Sequence, residues 1–262
     1  MDDRDLRDAL AFALELADVA RDLTLAGFGG RLAVELKDDR TPVTEIDVAA
    51  ERAIRAAIAE RSPDDGVLGE EGGSTPSVNG RTWVLDPIDG TKLYAEGIPL
   101  WTTLIALRED DRVVVGVADA PALGDRYHAT LGGGAWRGPD RLHVSGVDSL
   151  ADAFVVHSPV EEWLGGAHAA RFAGLATSAR DTRGLSDAWA QVLVAQGSVD
   201  AYVELARCFE WDWAATGLIV EEAGGRLTTF EGGRPMAGTG LVVSNGVVHE
   251  QMLAILDGTT ED

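Results

Sequence analysis

The sequence predicts a layered α/β fold, in which helices pack against sheets built from short strands. Apolar residues at helical spacing alternate along the chain with short apolar runs that are typical of buried strands. Hydrophobic residues make up 45% of the 262 residues, enough for a sizeable core without disulfides or structural metals. A shift in composition near residues 145–150 divides the chain into parts 1–147 and 148–262. Because no Pro- or Ser-rich linker separates these parts, we expect them to share one core.

The elements of the first part follow from periodicity and turn signals. An apolar stripe runs through the first helix and stops at Gly27, and the start signal at 41–44 precedes the second helix. The expected elements are a helix over 2–27, a strand over 32–36, a helix over 46–61, buried strands at 67–68 and 83–85, a hairpin of 103–107 with 113–117, and a strand pair interrupted by glycines 132–134. Both buried strands end in carboxylates, as strands that deliver charge at their tips would.

The second part alternates strands with helices more regularly. The expected elements are a strand over 153–156, helices over 160–175 and 188–195, a strand over 199–204, a helix over 212–223, and strands at 226–229 and 241–244. The glycine pair at 224–225 ends the last of these helices. This alternation predicts an α/β layer.

A large excess of acidic residues limits the partners. Lys and Arg total 22 against 44 Asp and Glu, so the formal net charge is −22. Such a surface repels nucleic-acid phosphates, and we predict no nucleic-acid partner. It also repels small phosphorylated molecules, so a phosphate-handling site would need local cations, of which metal ions are the obvious source.

Cysteine content and the length of the apolar runs limit the cellular compartments in which we expect the protein. Cys208 is the only cysteine, which excludes an intrachain disulfide and a multi-cysteine zinc or iron–sulfur site. The first residues are charged and lack the apolar region of a signal peptide. No apolar run approaches the ~18 residues that span a bilayer. We therefore predict a cytoplasmic protein without membrane association.

Acidic residues stand at four separated places where predicted elements begin or end. They are Asp47 at the start of a helix, Glu70 and Glu71 after one strand, Asp86 and Asp89 after another, and Asp212 at the start of a third helix. Carboxylates gathered in space repel one another, so a site that collects four or five of them is stable only around cations. Hard oxygen ligands favour magnesium or manganese over zinc.

The segment Asp86-Pro87-Ile88-Asp89-Gly90-Thr91 combines several features of a phosphate site. Pro87 stiffens the chain as it leaves the strand, and the two carboxylates on either side of it can then face the same point. Gly90 permits close approach, and its N–H with that of Thr91 could cradle a phosphate at a helix N-terminus. A lone Asp-x-x-Asp is more often a tight turn capped by Thr91, but the complete string directly after an apolar strand favours the site.

Four segments together resemble the inositol monophosphatase family. Residues 83–91, Trp-Val-Leu-Asp-Pro-Ile-Asp-Gly-Thr, look like its first signature, and residues 211–225 resemble its second. Residues 41–47 and 69–71 match the intervening elements in the same order, so the resemblance covers nearly the whole chain. It implies an inositol-monophosphatase-like sugar phosphatase fold, an α+β sandwich with alternating αβαβα layers, and a homodimer.

The resemblance also implies a magnesium-dependent phosphatase with two to three ions per site. Glu70, Asp86 and the backbone carbonyl of Ile88 would hold one magnesium. Asp86, Asp89 and Asp212 would hold a second, with Asp86 bridging the two. A third, weaker ion would lie near Glu70.

The same resemblance implies that a second set of residues binds the water and the phosphate. Asp47 and Thr91 would orient the attacking water and help to deprotonate it, with Glu70 completing the catalytic set. Gly90 and Thr91 would bind the phosphate. Lys37 matches a family lysine and would tune the local charge, unless it is simply an exposed lysine at the end of a strand.

Three neighbours of these residues are expected to be structural. The family pattern makes the first glutamate of the pair the ligand, so Glu71 would have a supporting role. Trp211 and Trp213 flank Asp212 and are expected to pack in the core.

The motifs define the phosphate and the metals better than the alcohol. Residues 37–44, 65–71 and 99–107 resemble the branch of bacterial histidinol-phosphatases, which implies that the substrate is histidinol phosphate, a metabolite of histidine biosynthesis. This substrate carries an ammonium and an imidazole group, so its pocket should offer carboxylates and an aromatic face. Glu204 and Asp187 match substrate-side acids of the family, although each could instead be a solvated acidic residue.

Other small phosphorylated metabolites stay open as substrates. They are inositol phosphate, a sugar bisphosphate and a phosphoadenosine nucleotide, but a nucleotide would call for more basic and aromatic residues than Arg183 and Trp189 supply. A non-catalytic relative would be expected to have lost a ligand, and none is lost. One extra residue between Glu204 and Asp212 alters the pocket wall, so Arg207 or Glu210 could reach the substrate.

Overall fold

The structure, a computed structural model, describes residues 1–30, 34–36, 42–165, 168–185 and 187–256. Its helices are α1 (Asp3–Gly27), α2 (Glu45–Arg61), α3 (Thr91–Ala95), α4 (Val160–Trp163), α5 (His168–Ser178), α6 (Asp187–Ala195), α7 (Glu210–Glu222) and α8 (His249–Leu256). Its strands are β1 (Val34–Leu36), β2 (Pro42–Thr44), β3 (Gly66–Gly69), β4 (Gly73–Thr75), β5 (Arg81–Asp89), β6 (Thr102–Glu109), β7 (Arg112–Ala120), β8 (Asp125–Thr130), β9 (Gly134–Arg137), β10 (Asp140–Arg141), β11 (Phe154–His157), β12 (Asp181–Gly184), β13 (Ala201–Cys208), β14 (Arg226–Thr228) and β15 (Thr239–Ser244).

The larger sheet has eight strands in the order β10-β9-β8-β7-β6-β5-β3-β4. Neighbouring strands are antiparallel except for β3 and β5, which run parallel. Because β3 and β5 point the same way, their carboxyl ends lie at one edge of the sheet. At that edge Glu70 follows β3, and the Asp86–Thr91 segment forms the end of β5 and the start of α3.

The second sheet has five strands in the order β12-β11-β13-β15-β14. Strand β11 is parallel to both of its neighbours, whereas β15 is antiparallel to both β13 and β14. Two short strands, β1 and β2, form a separate antiparallel pair.

Three large core clusters define five layers. One cluster packs α1 and α2 against the larger sheet, through Phe12, Ile54 and Trp83 among others. A second lies between the two sheets and is filled by α6 and α7, and a third packs the outer helices against the five-stranded sheet. The order helix, sheet, helix, sheet, helix confirms the predicted αβαβα sandwich. The middle cluster draws residues from both 1–147 and 148–262, and the exact division between these parts stays a prediction.

Most predicted elements are present, but three boundaries were wrong. The helix expected over 160–175 is two helices, α4 and α5, because the chain leaves the helix at Leu164-Gly165. Strand β5 continues past Leu85 to Asp89, with an irregularity in its pairing to β6 between Asp86 and Asp89. Strand β13 likewise continues past Glu204 to Cys208. In both strands the extension carries residues of the site.

Several short elements had no clear signal in the sequence. They are β2, β4, β10, β12 and α8. Among the described residues, no helix combines the length and the apolar character needed to cross a membrane.

Candidate active site

Asp86, Asp89 and Asp212 come together where β5 ends and α7 begins. Each offers a carboxylate oxygen, and the three oxygens lie within 4.8 Å of one another. Asp86 and Asp89 are buried, and Asp212 is partly buried. We call these three residues the metal-facing wall. The predicted convergence of the first and second signatures is therefore present in the structure.

The Asp86–Thr91 segment is shaped by its own backbone. The Asp86 carboxylate accepts the N–H of Ile88 at 3.0 Å, and this closes a tight loop across Pro87. Gly90 has φ 88°, in the left-handed region, and directly precedes α3. A Cβ at this position would also lie 3.2 Å from the carbonyl oxygen of Leu100, so both φ and space favour glycine.

The other two carboxylates are fixed by contacts with α6 and α7. Asp89 Oδ2 accepts the N–H of Ala188 at 2.7 Å. Asp212 Oδ2 accepts the N–H of Phe209 at 2.6 Å, so the same carboxylate that faces the cluster caps α7. The buried Gln191 joins the two helices, because it donates to the Asp212 carbonyl at 3.0 Å and accepts the Thr216 hydroxyl at 2.6 Å.

Burial makes the charged state of the metal-facing wall costly. It is the largest cause that raises the pKa of Asp86 and Asp89 well above the usual range and the pKa of Asp212 to about 8. Repulsion from Glu70 at Asp86 and from Asp187 at Asp89 adds to this effect. Such a group of carboxylates needs either protons or cations. An all-oxygen set of this charge fits a hard divalent cation such as magnesium.

Glu70 follows β3 and lines the same cavity as the metal-facing wall. Its backbone N–H donates to the carbonyl of Leu85 at 3.2 Å, which ties it to β5. Its charge raises the pKa of both Asp86 and Asp212, but the oxygens that lie within 4.8 Å of one another come from Asp86, Asp89 and Asp212, so the structure places Glu70 beside this group and not in it.

A residue that sequence reasoning missed, Glu51, anchors the loop that carries Glu70. It is buried on α2, and its carboxylate accepts the N–H groups of Glu71 at 2.7 Å and Gly72 at 2.8 Å. Arg55, one turn further along, pairs with it at 2.6 Å. A Cβ at Gly69 would lie 2.4 Å from this carboxylate, so the loop closes tightly around it. Its position one turn after Asp47 was the available signal.

Asp47 and Thr91 form a pair beside the cluster. Thr91 Oγ1 lies 3.2 Å from Asp47 Oδ1 and 2.9 Å from the carbonyl oxygen of Ile88. The other oxygen of Asp47 accepts the N–H and the hydroxyl of Thr44 at 2.9 and 2.5 Å, which is the capping box of α2. Burial is the main cause that raises the pKa of Asp47, and the bonds to Thr44 and Thr91 oppose it.

A cavity of about 440 Å³ opens between the metal-facing wall and the five-stranded sheet. It is lined by Glu70, Asp86, Ile88, Asp89, Gly90, Thr91, Lys92, Asp187, Ala188, Gln191, Tyr202, Glu204, Ala206, Cys208, Phe209, Trp211 and Asp212. Among these described residues, Lys92 is the one cationic side chain. A site this acidic suits a ligand that brings positive charge, or one whose negative charge is neutralised by metal ions.

Another part of the cavity lining is formed by Asp187, Tyr202 and Glu204, which we call the alcohol-facing wall because the sequence predicts that Asp187 and Glu204 contact the alcohol portion of the substrate. Glu204 is 7% exposed, and burial raises its pKa to about 7. Asp187 has φ 64°, which costs a non-glycine residue roughly 1–2 kcal/mol, although aspartate tolerates this region better than most. Strained backbone of this kind is concentrated at functional sites.

The stretch between Glu204 and Asp212, for which the sequence predicts one residue more than the family spacing, includes an irregular part of β13. Glu204 pairs with Leu241 and Cys208 with Thr239, so the strand carries more residues than its partner β15 across this stretch. Glu210 forms an ion pair with Arg108 at 2.9 Å, and Arg207 lies beside Gly238 in a separate cavity. Among the residues that the structure describes, neither lines the 440 Å³ cavity, so the structure does not bring either to the substrate side.

The remaining predicted residues are distributed as follows. Trp211 packs against the main core and also lines the cavity, where its ring stacks on Phe209 at a centroid distance of 5.0 Å, so the core role expected for it was incomplete. Trp213 packs against the same core away from the cavity. Lys37 lies outside the described residues. Trp189 packs against Tyr127, which leaves no aromatic partner for a nucleotide base at that position.

Comparison with known proteins gives matches that span nearly the whole chain. A profile of the inositol monophosphatase family matches residues 5–261. A protein of Mycobacterium tuberculosis named histidinol-phosphatase is 41% identical over 256 residues, which cover 95% of this chain and 98% of that protein. A protein of Streptomyces coelicolor with the same name is 42% identical over 264 residues, covering 97% of this chain and 98% of that protein. Among solved structures, the IMPase of Thermotoga maritima superposes with a TM-score of 0.88 at 31% identity, covering 96% of this chain and 97% of that chain.

Proposed function

The chain belongs to the inositol monophosphatase family, and on that premise we propose that it is a magnesium-dependent phosphate monoesterase whose substrate is histidinol phosphate. The observation that carries the proposal is the cluster of Asp86, Asp89 and Asp212, whose oxygens lie within 4.8 Å of one another in a buried site. Repulsion among these buried carboxylates destabilises the fold unless cations bind between them.

Two to three magnesium ions would be held by residues of this cavity. Glu70, Asp86 and the Ile88 carbonyl are the proposed ligands of one ion, and Asp86, Asp89 and Asp212 those of a second, with a weaker third near Glu70. When bound, the ions would supply Lewis acidity, lower the pKa of a water nucleophile and neutralise charge on the phosphate.

The chain's own residues position the water and accept its proton. Thr91 lies within hydrogen-bond distance of Asp47, so its hydroxyl can take a proton from the attacking water while passing its own to the carboxylate. The raised pKa of Asp47 makes this carboxylate a better base than an exposed aspartate. The backbone N–H groups of Gly90 and Thr91, in the first turn of α3, are placed to hold phosphate oxygens.

The leaving alcohol would occupy the part of the cavity that Asp187, Tyr202 and Glu204 line. There Glu204 and Asp187 are acceptors for its ammonium group, and the Trp211 ring, which lines the same cavity, offers an aromatic surface to its imidazole. The names of the relatives in Mycobacterium tuberculosis and Streptomyces coelicolor support this substrate, which would place the enzyme in histidine biosynthesis.

Inositol 1-phosphate is the second candidate substrate. The likeness to the IMPase of Thermotoga maritima favours it, although at lower sequence identity. A nucleotide or a sugar bisphosphate fits less well, because Lys92 alone among the described lining residues could pair with a second phosphate.

Parallel initial rates on the two esters test the proposal. We expect magnesium-dependent release of phosphate from both, with kcat/KM higher for histidinol phosphate by at least about tenfold. A preference for inositol 1-phosphate by two orders of magnitude would contradict the proposed substrate but not the proposed phosphatase activity. A lack of metal-dependent release from either ester would end both.

We extend the proposal to a cytoplasmic homodimer, as the family resemblance implies. Light scattering during size-exclusion chromatography should give twice the mass of one chain. The mass of a single chain at assay concentrations would contradict it.

A further inference from the structure

Tyr202 and Glu204 share one face of the five-stranded sheet. They stand two residues apart on β13, and side chains along a strand alternate between its two faces. Tyr202 packs in the cluster that contains α6 and α7, whereas Ala201 and Val203 pack in the cluster on the opposite face. Tyr202 is 0% exposed, yet it lines the cavity together with Glu204.

The Tyr202 hydroxyl bonds to both acidic residues of the alcohol-facing wall. It donates to Glu204 Oε2 and accepts the backbone N–H of Asp187 at 3.2 Å. Burial raises the pKa of Tyr202, so the hydroxyl keeps the proton that it donates. The other oxygen of Glu204 accepts the N–H of Ala206 at 2.9 Å, so each oxygen of this carboxylate has its own donor.

The same hydroxyl supports the left-handed backbone at Asp187. Tyr202 accepts the N–H of Asp187, and Asp89 accepts the N–H of the next residue, Ala188, at 2.7 Å. These two bonds hold the start of α6 from both sides. As a result Asp187 Oδ2 lies 3.4 Å from the position that a Cβ of Gly90 would occupy, beside the phosphate-binding backbone.

We propose that Tyr202 is a positioning residue for substrate selection: its hydroxyl holds the Glu204 carboxylate and the Asp187 backbone in one arrangement, so that two carboxylates are preset for the ammonium group of the leaving alcohol. This inference rests on the proposed function. It adds a residue outside the set of proposed metal ligands, and it assigns selectivity to the hydrogen bonds of the Tyr202 hydroxyl.

The substitution Tyr202→Phe tests the inference, because it removes only the hydroxyl group. Tyr127→Phe is the matched control: Tyr127 is also buried, and its hydroxyl lies 3.1 Å from Gln196 at the far end of α6. Kinetics should be measured with histidinol phosphate and with glycerol 2-phosphate, whose alcohol carries no charge. Thermal unfolding of both variants shows whether each has kept its fold.

For Tyr202→Phe we expect KM for histidinol phosphate to rise about tenfold, with kcat changed less than about twofold. KM for glycerol 2-phosphate should stay unchanged, and Tyr127→Phe should behave as wild type on both esters. In a Glu204→Gln background, Tyr202→Phe should add little, because the two residues act through the same carboxylate. An equal rise of KM on both esters, or no rise on either, would overturn the inference.

These outcomes are distinct from failure of the proposed function. If the wild type releases no phosphate in a metal-dependent way, the phosphatase itself is wrong. If it does, and Tyr202→Phe matches Tyr127→Phe on histidinol phosphate, only the role of Tyr202 is wrong. A wild type that prefers inositol 1-phosphate would overturn the assignment of this wall to an ammonium group.

Discussion

The two walls of the cavity are built in different ways. The metal-facing wall takes Asp86 and Asp89 from one short segment and Asp212 from a helix start, and local bonds such as that from Ile88 to Asp86 shape it. The alcohol-facing wall takes Asp187 from the start of α6 and Tyr202 with Glu204 from β13. Contacts between α6 and β13 hold it together.

From this difference we expect the metal-facing wall to govern the rate of hydrolysis and the alcohol-facing wall to govern the choice of substrate. The metal-facing wall presents carboxylates that repel one another, so under the proposed function it needs cations, and we expect it to tolerate little change. The alcohol-facing wall includes the Glu204 carboxylate, whose two oxygens already accept hydrogen bonds, so changes on this wall should affect affinity for one class of alcohol more than the rate of hydrolysis. Substitutions on the two walls should therefore have effects of different size and kind.

The largest effect is expected on the metal-facing wall. Asp86→Asn removes the proposed bridging ligand, and kcat/KM should fall by at least about a thousandfold for every phosphate ester. The metal-free variant should also unfold at a higher temperature than the metal-free wild type, because it lacks a carboxyl group whose charged state is costly in this buried site. Asp140→Asn, at an exposed position on β10, is the control and should change neither quantity. Substantial activity in Asp86→Asn would contradict the assignment.

On the alcohol-facing wall the effect should depend on pH. Burial raises the pKa of Glu204 to about 7, so its carboxylate is protonated below that pH and attracts an ammonium group only above it. KM for histidinol phosphate should fall about tenfold as the pH rises from about 6 to about 8. In Glu204→Gln the pH dependence of KM should come only from titration of the substrate itself. The difference between the two pH profiles therefore measures the contribution of the Glu204 carboxylate. Identical profiles would show that Glu204 does not contact the alcohol.

A smaller effect is expected behind the metal-facing wall, at Glu51. Glu51→Gln weakens the bonds to Glu71 and Gly72 that shape the loop carrying Glu70. The magnesium concentration for half-maximal rate should rise roughly tenfold, because supporting contacts orient a metal ligand. Glu60→Gln, exposed on the same helix, is the matched control. Equal magnesium dependence in both variants would contradict the proposal that Glu51 supports the loop carrying Glu70.

The smallest effect should appear in the stability of the metal-free protein. The pKa of Asp212 is about 8 in the folded protein against 3.8 for an ordinary aspartate, so between about pH 4 and 8 the folded state holds a proton that the unfolded state has lost. Stability should therefore fall as the pH rises through this window, and the unfolding temperature should fall with it. Asp212→Asn should reduce the slope, and saturating magnesium should abolish it. A wild type whose stability rises over this range without metal would contradict the repulsion described at this wall.

The sequence allowed most of the metal-facing wall to be predicted because its signals are contiguous. The Asp86–Thr91 string stands directly after an apolar run and Asp212 stands near a helix start, and both lie in segments that resemble the two signatures of the family. The layered fold followed from the alternation of strands and helices in the same way. The predicted roles of these residues as ligands stay predictions until a metal is measured.

The alcohol-facing wall was harder to predict because its bonds join distant residues. Nothing near Tyr202 in sequence indicates that its hydroxyl meets the backbone of Asp187, or that Asp187 adopts a left-handed conformation. The extension of β13 past Glu204 was also missed, because the irregular stretch there breaks the alternation on which strand prediction relies. Glu51 was missed since a buried helical glutamate looks, in sequence, like an exposed one.

The most direct test is the rate of phosphate release from histidinol phosphate by wild-type protein that has been stripped with chelator and then titrated with magnesium. The account predicts no measurable release in chelator and recovery of the full rate as magnesium is added back. Undiminished release in chelator would show that the carboxylates of the metal-facing wall do not work through a metal, and the central claim would fall.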